Sequence, residues 1–173
     1  MKDRFAHHLR LVQIGDGERL DLVADDVERR AVSDRLDLGR LDRFEAHVTL
    51  GRNGPVVRAE GRMVATLEQS CVVTGEPVSA RIDEPFTFIF IPAPDSARPD
   101  EEVELGKEDC DTVFYDGAAI DLGSAIADTL ALSVDPYPRS ASADAALREA
   151  GVLSEEQAGP FAALAALKKS SDS

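Results

Sequence analysis

The residues of this 173-residue chain whose types could do chemistry are few: two cysteines, three histidines and a local concentration of carboxylates. Cys71-Val72-Val73-Thr74 has the spacing of a Cys-x-x-Cys knuckle in which a hydroxyl replaces the second thiol. Structural zinc takes four protein ligands, so Cys71 with Cys110 leaves at least two positions unfilled. His7 and His8 are adjacent, point to opposite faces of a strand, and cannot both easily reach one ion. No histidine sits beside a cysteine in sequence, which weakens any Cys-His nucleophile. Walker, dinucleotide-binding, His-Glu-x-x-His and Gly-x-Ser-x-Gly patterns are all missing. The acids between positions 100 and 111 lack the central Gly and terminal Glu of a calcium loop. These patterns predict no catalytic residue, no metal, no cofactor and no small-molecule substrate, with Cys71 as a buried structural thiol.

Charge is the stronger signal. The formal net charge is −14. Residues 1–62 carry 12 Lys/Arg and 12 Asp/Glu, whereas residues 63–173 carry 7 basic and 21 acidic groups. All the excess lies downstream. Asp100, Glu101, Glu102, Glu104, Glu108, Asp109 and Asp111 fall together with only Lys107 among them. Such a field repels phosphate backbones and attracts basic partners. The basic exception is a trio, Arg43, Arg58 and Arg62, on the polar face of a predicted hairpin, where Glu45 and Glu60 interleave. No run approaches the ~18 apolar residues of a membrane span. Met1-Lys2-Asp3-Arg4 opens a polar stretch without a signal-peptide core. A cytoplasmic location, no membrane contact and free thiols are therefore expected.

The elements that would carry these residues follow from periodicity. Residues 5–14 predict a first strand with Phe5, His7, Leu9 and Leu11 on one side, broken by Gly15-Asp16-Gly17. Residues 24–38 predict a helix with an Asp25/Glu28 capping box, Asp25–Arg29 and Asp26–Arg30 pairs, a thin stripe of Val27, Ala31 and Leu36, and Gly39 as its stop. Phe44, Ala46, Val48 and Leu50 alternate with polar neighbours. Asn53-Gly54 turns the chain, and the alternation returns from Val57 to Leu67, with Gly61 marking a bend, bulge or close backbone approach. After the turn Thr74-Gly75-Glu76-Pro77, residues Val78, Ala80, Ile82, Phe86, Phe88 and Phe90 share a face. Pro85 has no N–H to donate and predicts a bulge or a free edge. Val103 and Leu105 alternate within the acidic stretch and predict a short charged edge strand. Asp121 caps a helix over 122–134 in which Leu122, Ile126 and Leu130 stack. The prediction is an α+β fold, an antiparallel β-meander or partly closed barrel-like sheet packed with two main helices. Residues 1–139 would form this domain. Residues 140–173 would be an Ala/Ser/acidic linker and loosely ordered tail ending in a short helix.

Four features in order, over roughly residues 60 to 169, resemble the YceD family of large ribosomal RNA subunit accumulation proteins. They are the Cys-containing turn with Pro from Leu67 to Pro77, the acidic stretch, the Ile120-Asp121-Leu122 helix leading to Pro136-x-Pro138, and the tail Pro160-Phe161-x-x-Leu164-x-x-Leu167-Lys168. Many members carry Cys-x-x-Cys where this chain has Cys71 and Thr74, so no metal or redox role is carried over. The resemblance implies a noncatalytic part in 23S rRNA accumulation and large-subunit assembly. Joined to the charge, it implies a basic ribosomal protein or assembly factor as partner, with rRNA contacted indirectly. The expected partner-facing residues are Glu101, Glu102, Glu104, Pro160, Phe161, Leu164, Leu167 and Lys168. Two alternatives stand beside it. One is direct rRNA binding through Arg43, Arg58 and Arg62. The other is a thiol- or metal-dependent enzyme, for which stoichiometric zinc or a Cys71 pKa well below that of a free thiol would speak.

Overall fold

Two long runs of alternating apolar residues meeting at a two-residue turn dominate the computed structural model, which describes residues 5–93 and 111–152. The chain divides into two compact units, Met1–Gln69 with Ser79–Pro136 and Ser70–Val78 with Tyr137–Ser173. In the first, strands β3 (Arg40–Asn53) and β4 (Val56–Ser70) pair antiparallel along nearly their whole length. Phe44, Ala46, Val48 and Leu50 of β3, and Val57, Ala59, Met63, Ala65 and Leu67 of β4, are buried as the alternation predicts. The connection is Gly54-Pro55, and Gly54 takes φ 59°, the type II′ hairpin pattern with glycine first.

Around this hairpin the sheet runs β2-β3-β4-β5-β6. The outer members are β2 (Glu18–Val23), β5 (Pro77–Pro92) and β6 (Asp111–Tyr115). Among the described residues the order ends in two edges, β2 and β6, and the sheet is open. The predicted α+β meander is what forms, with two corrections. Strand β2 was not expected, because only Leu20 and Leu22 mark its inner side and Val23 lies 61% exposed. The last pair, β5–β6, is parallel, with Phe88 opposite Asp111 and Pro92 opposite Tyr115. Residues 100–110, where an edge strand was expected, lie outside the described residues. Pro85 falls before β6 begins to pair with β5 at Phe88, so its missing N–H sits where β5 lacks that neighbour.

The first strand is shorter than its alternation suggests. β1 covers only His8–Arg10, followed by a 3₁₀ turn, Leu11–Gln13. It pairs antiparallel with β7 (Ala119–Asp121) in a separate two-stranded sheet. Helix α1 (Asp26–Arg35) has the predicted capping box: Val27 N and Glu28 N donate to Asp25 Oδ1 at 2.8 Å, and Asp25 N donates to Glu28 Oε2 at 2.9 Å. Its buried side is turned from the expected one. Val32 and Ser33 are buried while Val27 is exposed. The left-handed residue after the helix is Asp37 (φ 53°), not Gly39. Arg29 pairs with Asp26, and Arg35 reaches across to Asp128.

Helix α2 (Leu122–Ser133) covers the core as predicted. Asp121 accepts from Ser124 N at 3.1 Å, and Leu122, Ile126 and Leu130 are fully buried in the same cluster as the sheet's phenylalanines. In the second unit, helix α3 (Ala143–Glu149) falls within the stretch expected to be partly helical. The predicted tail helix lies outside the described residues.

Gly61 shows the close approach its sequence position suggested. A Cβ there would stand 2.2 Å from His47 O and 2.7 Å from Phe86 Cζ. A methyl group must therefore push apart two strands and a core ring. Gly61→Ala should lower stability by about 1–3 kcal/mol in urea denaturation, in the range of other overpacked cores. Gly15→Ala, where the nearest atom would be 3.9 Å away, should change it by much less. Equal midpoints for the two variants would refute this reading.

Candidate functional site

Cys71 begins the turn between β4 and β5, and in the second unit the chain folds back on it. Its amide donates to Glu76 O at 2.8 Å and its carbonyl accepts from Gly75 N at 2.9 Å, closing the turn. Gly75 takes φ 74°, which an L-residue adopts only with strain. The segment after Pro136 lies against this turn, with Val72 N donating to Pro138 O at 2.9 Å. As a result, two backbone amides point at the thiol. Ser140 N lies 3.2 Å and Thr74 N 3.4 Å from Cys71 Sγ.

The electrostatics follow from those donors. Cys71 is 3% exposed, and burial pushes its thiol up. The hydrogen bonds of Ser140 and Thr74 outweigh that push and bring it from an ordinary 9.0 down to about 6. The hydroxyls of Thr74, Ser140 and Ser142 link to one another and to Glu76. Thr74 Oγ1 donates to Glu76 Oε2 at 3.1 Å, Ser140 Oγ stands 3.1 Å from Thr74 Oγ1, and Ser142 Oγ donates to Glu76. Those hydroxyls of Ser142, Ser140 and Thr74 hold the Glu76 carboxyl below its usual range, against the effect of desolvation. Thr74 is the position of the second thiol in the family pattern. Here its hydroxyl is committed to this network.

The chemistry available is narrow. The thiol has a lowered pKa but is almost enclosed, and the donors to its sulfur are both backbone amides. No histidine, lysine or arginine is hydrogen-bonded to it among the described residues. A depressed pKa favours a nucleophile, but Cys71 is only 3% exposed. Among the described residues, no group of three or more His, Cys, Asp or Glu is placed to hold a metal. His7 and His8 part as expected. His7 stacks edge-on to Phe5 with its Nε2 buried, while His8 Nε2 stands 3.9 Å from Asp121 Oδ2.

The arginine trio lies on one face but not in one place. Arg58 is opposite Gly51, Arg62 opposite His47 and Arg43 opposite Thr66. Neighbours in that series are about 13 Å apart along the hairpin, at ~3.4 Å per residue. Each has its own carboxylate. Arg43 donates to Glu45 at 2.6 Å, Arg58 pairs with Glu60 and Arg62 with Asp83. The hydrogen bond from Arg43 lowers the Glu45 pKa, and Glu45 in turn raises that of Arg43. Glu45 and Glu60 were visible as intruders in the alternation, but Asp83 comes from β5 and carried no sequence signal. The partner-facing candidates Glu101, Glu102, Glu104, Pro160, Phe161, Leu164, Leu167 and Lys168 lie outside the described residues. Ser140 and Ser142, which complete the Cys71 site, were missed. Nothing in an Ala/Ser-rich stretch singles them out.

An acidic α+β protein with an open sheet, a buried cysteine and a charge-balanced arginine face is what the chain folds into. Residues 59–168 match the family model described as large ribosomal RNA subunit accumulation protein YceD. The chain belongs to the YceD family. No curated protein and no solved structure matches it. The family's name implies a role in accumulation of the large-subunit ribosomal RNA. Among the described residues, no helix is long and apolar enough to cross a membrane.

The thiolate band in the ultraviolet should titrate with a midpoint near pH 6 that Cys71→Ser removes. Because folding lowers this pKa, the thiolate's contribution to stability is fully present above the unfolded value, near 9, and is lost as pH falls through 6. Wild type should therefore lose more stability than Cys71→Ser between those limits in urea denaturation. A wild-type midpoint at that of an ordinary thiol would contradict the site as described.

Proposed function

We propose that this chain is a noncatalytic factor in 23S rRNA accumulation and large ribosomal subunit assembly that works by holding basic ribosomal proteins or assembly factors. The observation that carries this reading is the placement of charge: the whole excess of −14 lies downstream of residue 62, within the part of the chain where the family match falls. Binding of naked rRNA draws its salt-dependent affinity from lysines and arginines that displace counterions. On the hairpin face each arginine of the trio is already beside a carboxylate, which supports an indirect relation to rRNA. The acidic stretch with Glu101, Glu102 and Glu104, and the Pro160–Lys168 segment with Phe161, Leu164 and Leu167, are the proposed partner-facing elements. A cytoplasmic setting follows from this role.

Ionic capture is sensitive to salt, because the Debye length falls from about 10 Å at 0.1 M to about 3 Å at 1 M. Immobilised protein should retain basic large-subunit proteins at low salt and release them at high salt. A chain truncated after Gly159 should retain less. Replacing Arg43, Arg58 and Arg62 together by Ala should leave capture unchanged. Retention of protein-free 23S rRNA, lost in that triple variant, would instead establish direct RNA binding.

A further inference from the structure

Edge strand β6, the turn that follows it and helix α2 enclose a groove of about 680 Å³. Its floor is apolar, with Phe88 and Phe90 of β5 almost fully buried beneath it. Its lips are apolar as well, and open. Phe114 is 55% exposed and Leu132 84%. Single exposed apolar residues are ordinary, but two large ones flanking a groove with an aromatic floor form a continuous apolar surface. Helix α2 thus has two working sides. Leu122, Ile126 and Leu130 are buried in the core, whereas Asp121, Ala125, Asp128 and Leu132, at i, i+4 and i, i+3 spacing, line the groove.

The rim is acidic. Asp111, Asp116, Asp121 and Asp128 all line the groove, and no Lys or Arg is among its described lining residues. Two of these carboxylates are occupied, Asp121 as the cap of α2 and Asp128 by Arg35. Asp111 and Asp116 are exposed and have no partner among the described residues. Such a surface disfavours nucleic acid and acidic peptides, and its apolar lips are wasted on a purely ionic ligand. Its complement is an apolar stripe flanked by cations.

We propose that this groove docks a Lys/Arg-bearing amphipathic helix of a partner protein, its apolar stripe on Phe114 and Leu132 and its cations facing Asp111 and Asp116. The proposal rests on the reading of the chain as a holder of basic proteins and adds a third surface to the two partner-facing elements. Helix-in-groove recognition works through apolar anchors at i, i+3/i+4 spacing, and the rim charges add specificity and association rate.

The test uses the intact protein and a labelled helical peptide of Leu and Lys, with a Glu-for-Lys counterpart as control. Fluorescence anisotropy should show binding of the Lys peptide and none of the Glu peptide. Leu132→Lys, at a position open enough not to disturb folding, should weaken binding at least ~10-fold, as should Asp111→Lys with Asp116→Lys. Amide shift changes on binding should map to β6 and the second half of α2. Several results would overturn the proposal: unchanged affinity in Leu132→Lys, shifts elsewhere, or tighter binding after truncation at Gly159, which would make the chain's own C-terminal segment the occupant. So would a dimer that Leu132→Lys dissociates, which would make the occupant a second copy. In the capture assay, equal retention of basic ribosomal proteins by wild type and Leu132→Lys sinks the groove and leaves the broader function standing. Peptide binding at the groove without any capture by wild type does the reverse.

Discussion

An open sheet with one apolar face requires a cover, and most of this protein's first unit is arranged to supply one. Leu122, Ile126 and Leu130 of α2 are completely buried in the same cluster as Phe44, Phe88 and Phe90. Burying each such side chain stabilises by about 1.5–3 kcal/mol, and together they give more than α1 or α3 contributes with one or two buried residues each. Getting α2 there depends on its first turn. Asp121, the cap, is also the last residue of β7 and pairs with His8 of β1. Leu122 N donates to His7 O at 3.1 Å, and a Cβ on Gly123 would meet Phe5 O at 2.5 Å. The N-terminal segment therefore lies directly on the start of the helix, and Phe5 reaches Phe44 with ring centroids 4.7 Å apart. The small β1–β7 sheet is the clasp that holds the cover in place.

That arrangement leaves different surfaces with different electrostatics. The polar face of the β3–β4 hairpin is balanced, each arginine of the trio being beside an acid. The groove along β6 and α2 is not balanced, because helix α2 carries its acids on the side away from the core and β6 begins with one. Asp111 and Asp116, unpaired among the described residues, thus lie with apolar surface beside them. Charge alone would give a solvated face. Charge around an apolar cleft gives a surface with a preferred kind of ligand.

The Cys71 turn illustrates how a family pattern becomes geometry. Its Cys-containing turn and its Pro-x-Pro exit lie more than sixty positions apart, yet Val72 N donates to Pro138 O and Ser140 N to Cys71 Sγ. The Cys71 sulfur, accepting from the Thr74 and Ser140 amides, ties the two segments together. The expectation of a buried structural cysteine was correct about location. The depressed pKa, which would favour a reactive thiol, comes from amides that also enclose it, so the same hydrogen bonds that ionise the sulfur keep reagents away.

The hairpin, the capping box at Asp25, the close approach at Gly61 and helix α2 were all legible in the sequence, because each is written in spacings of two to four residues. Strand β2 was not, since six residues with two inward leucines carry too weak a period, and the face of α1 was mistaken because Val27 looked like core until Val32 and Ser33 took its place. Neither the parallel direction of β6 nor the donors around Cys71 could be read from local pattern. Nor could the carboxylate opposite Arg62, or the union of Phe88, Phe114 and Leu132 in one groove. These depend on which distant strands and loops become neighbours, and that is settled by closing the core as a whole. The sequence by itself determined an acidic α+β meander, its principal helices and its family; only the tertiary structure decided which charges are neutralised, how Cys71 is hydrogen-bonded and which apolar residues are left facing water.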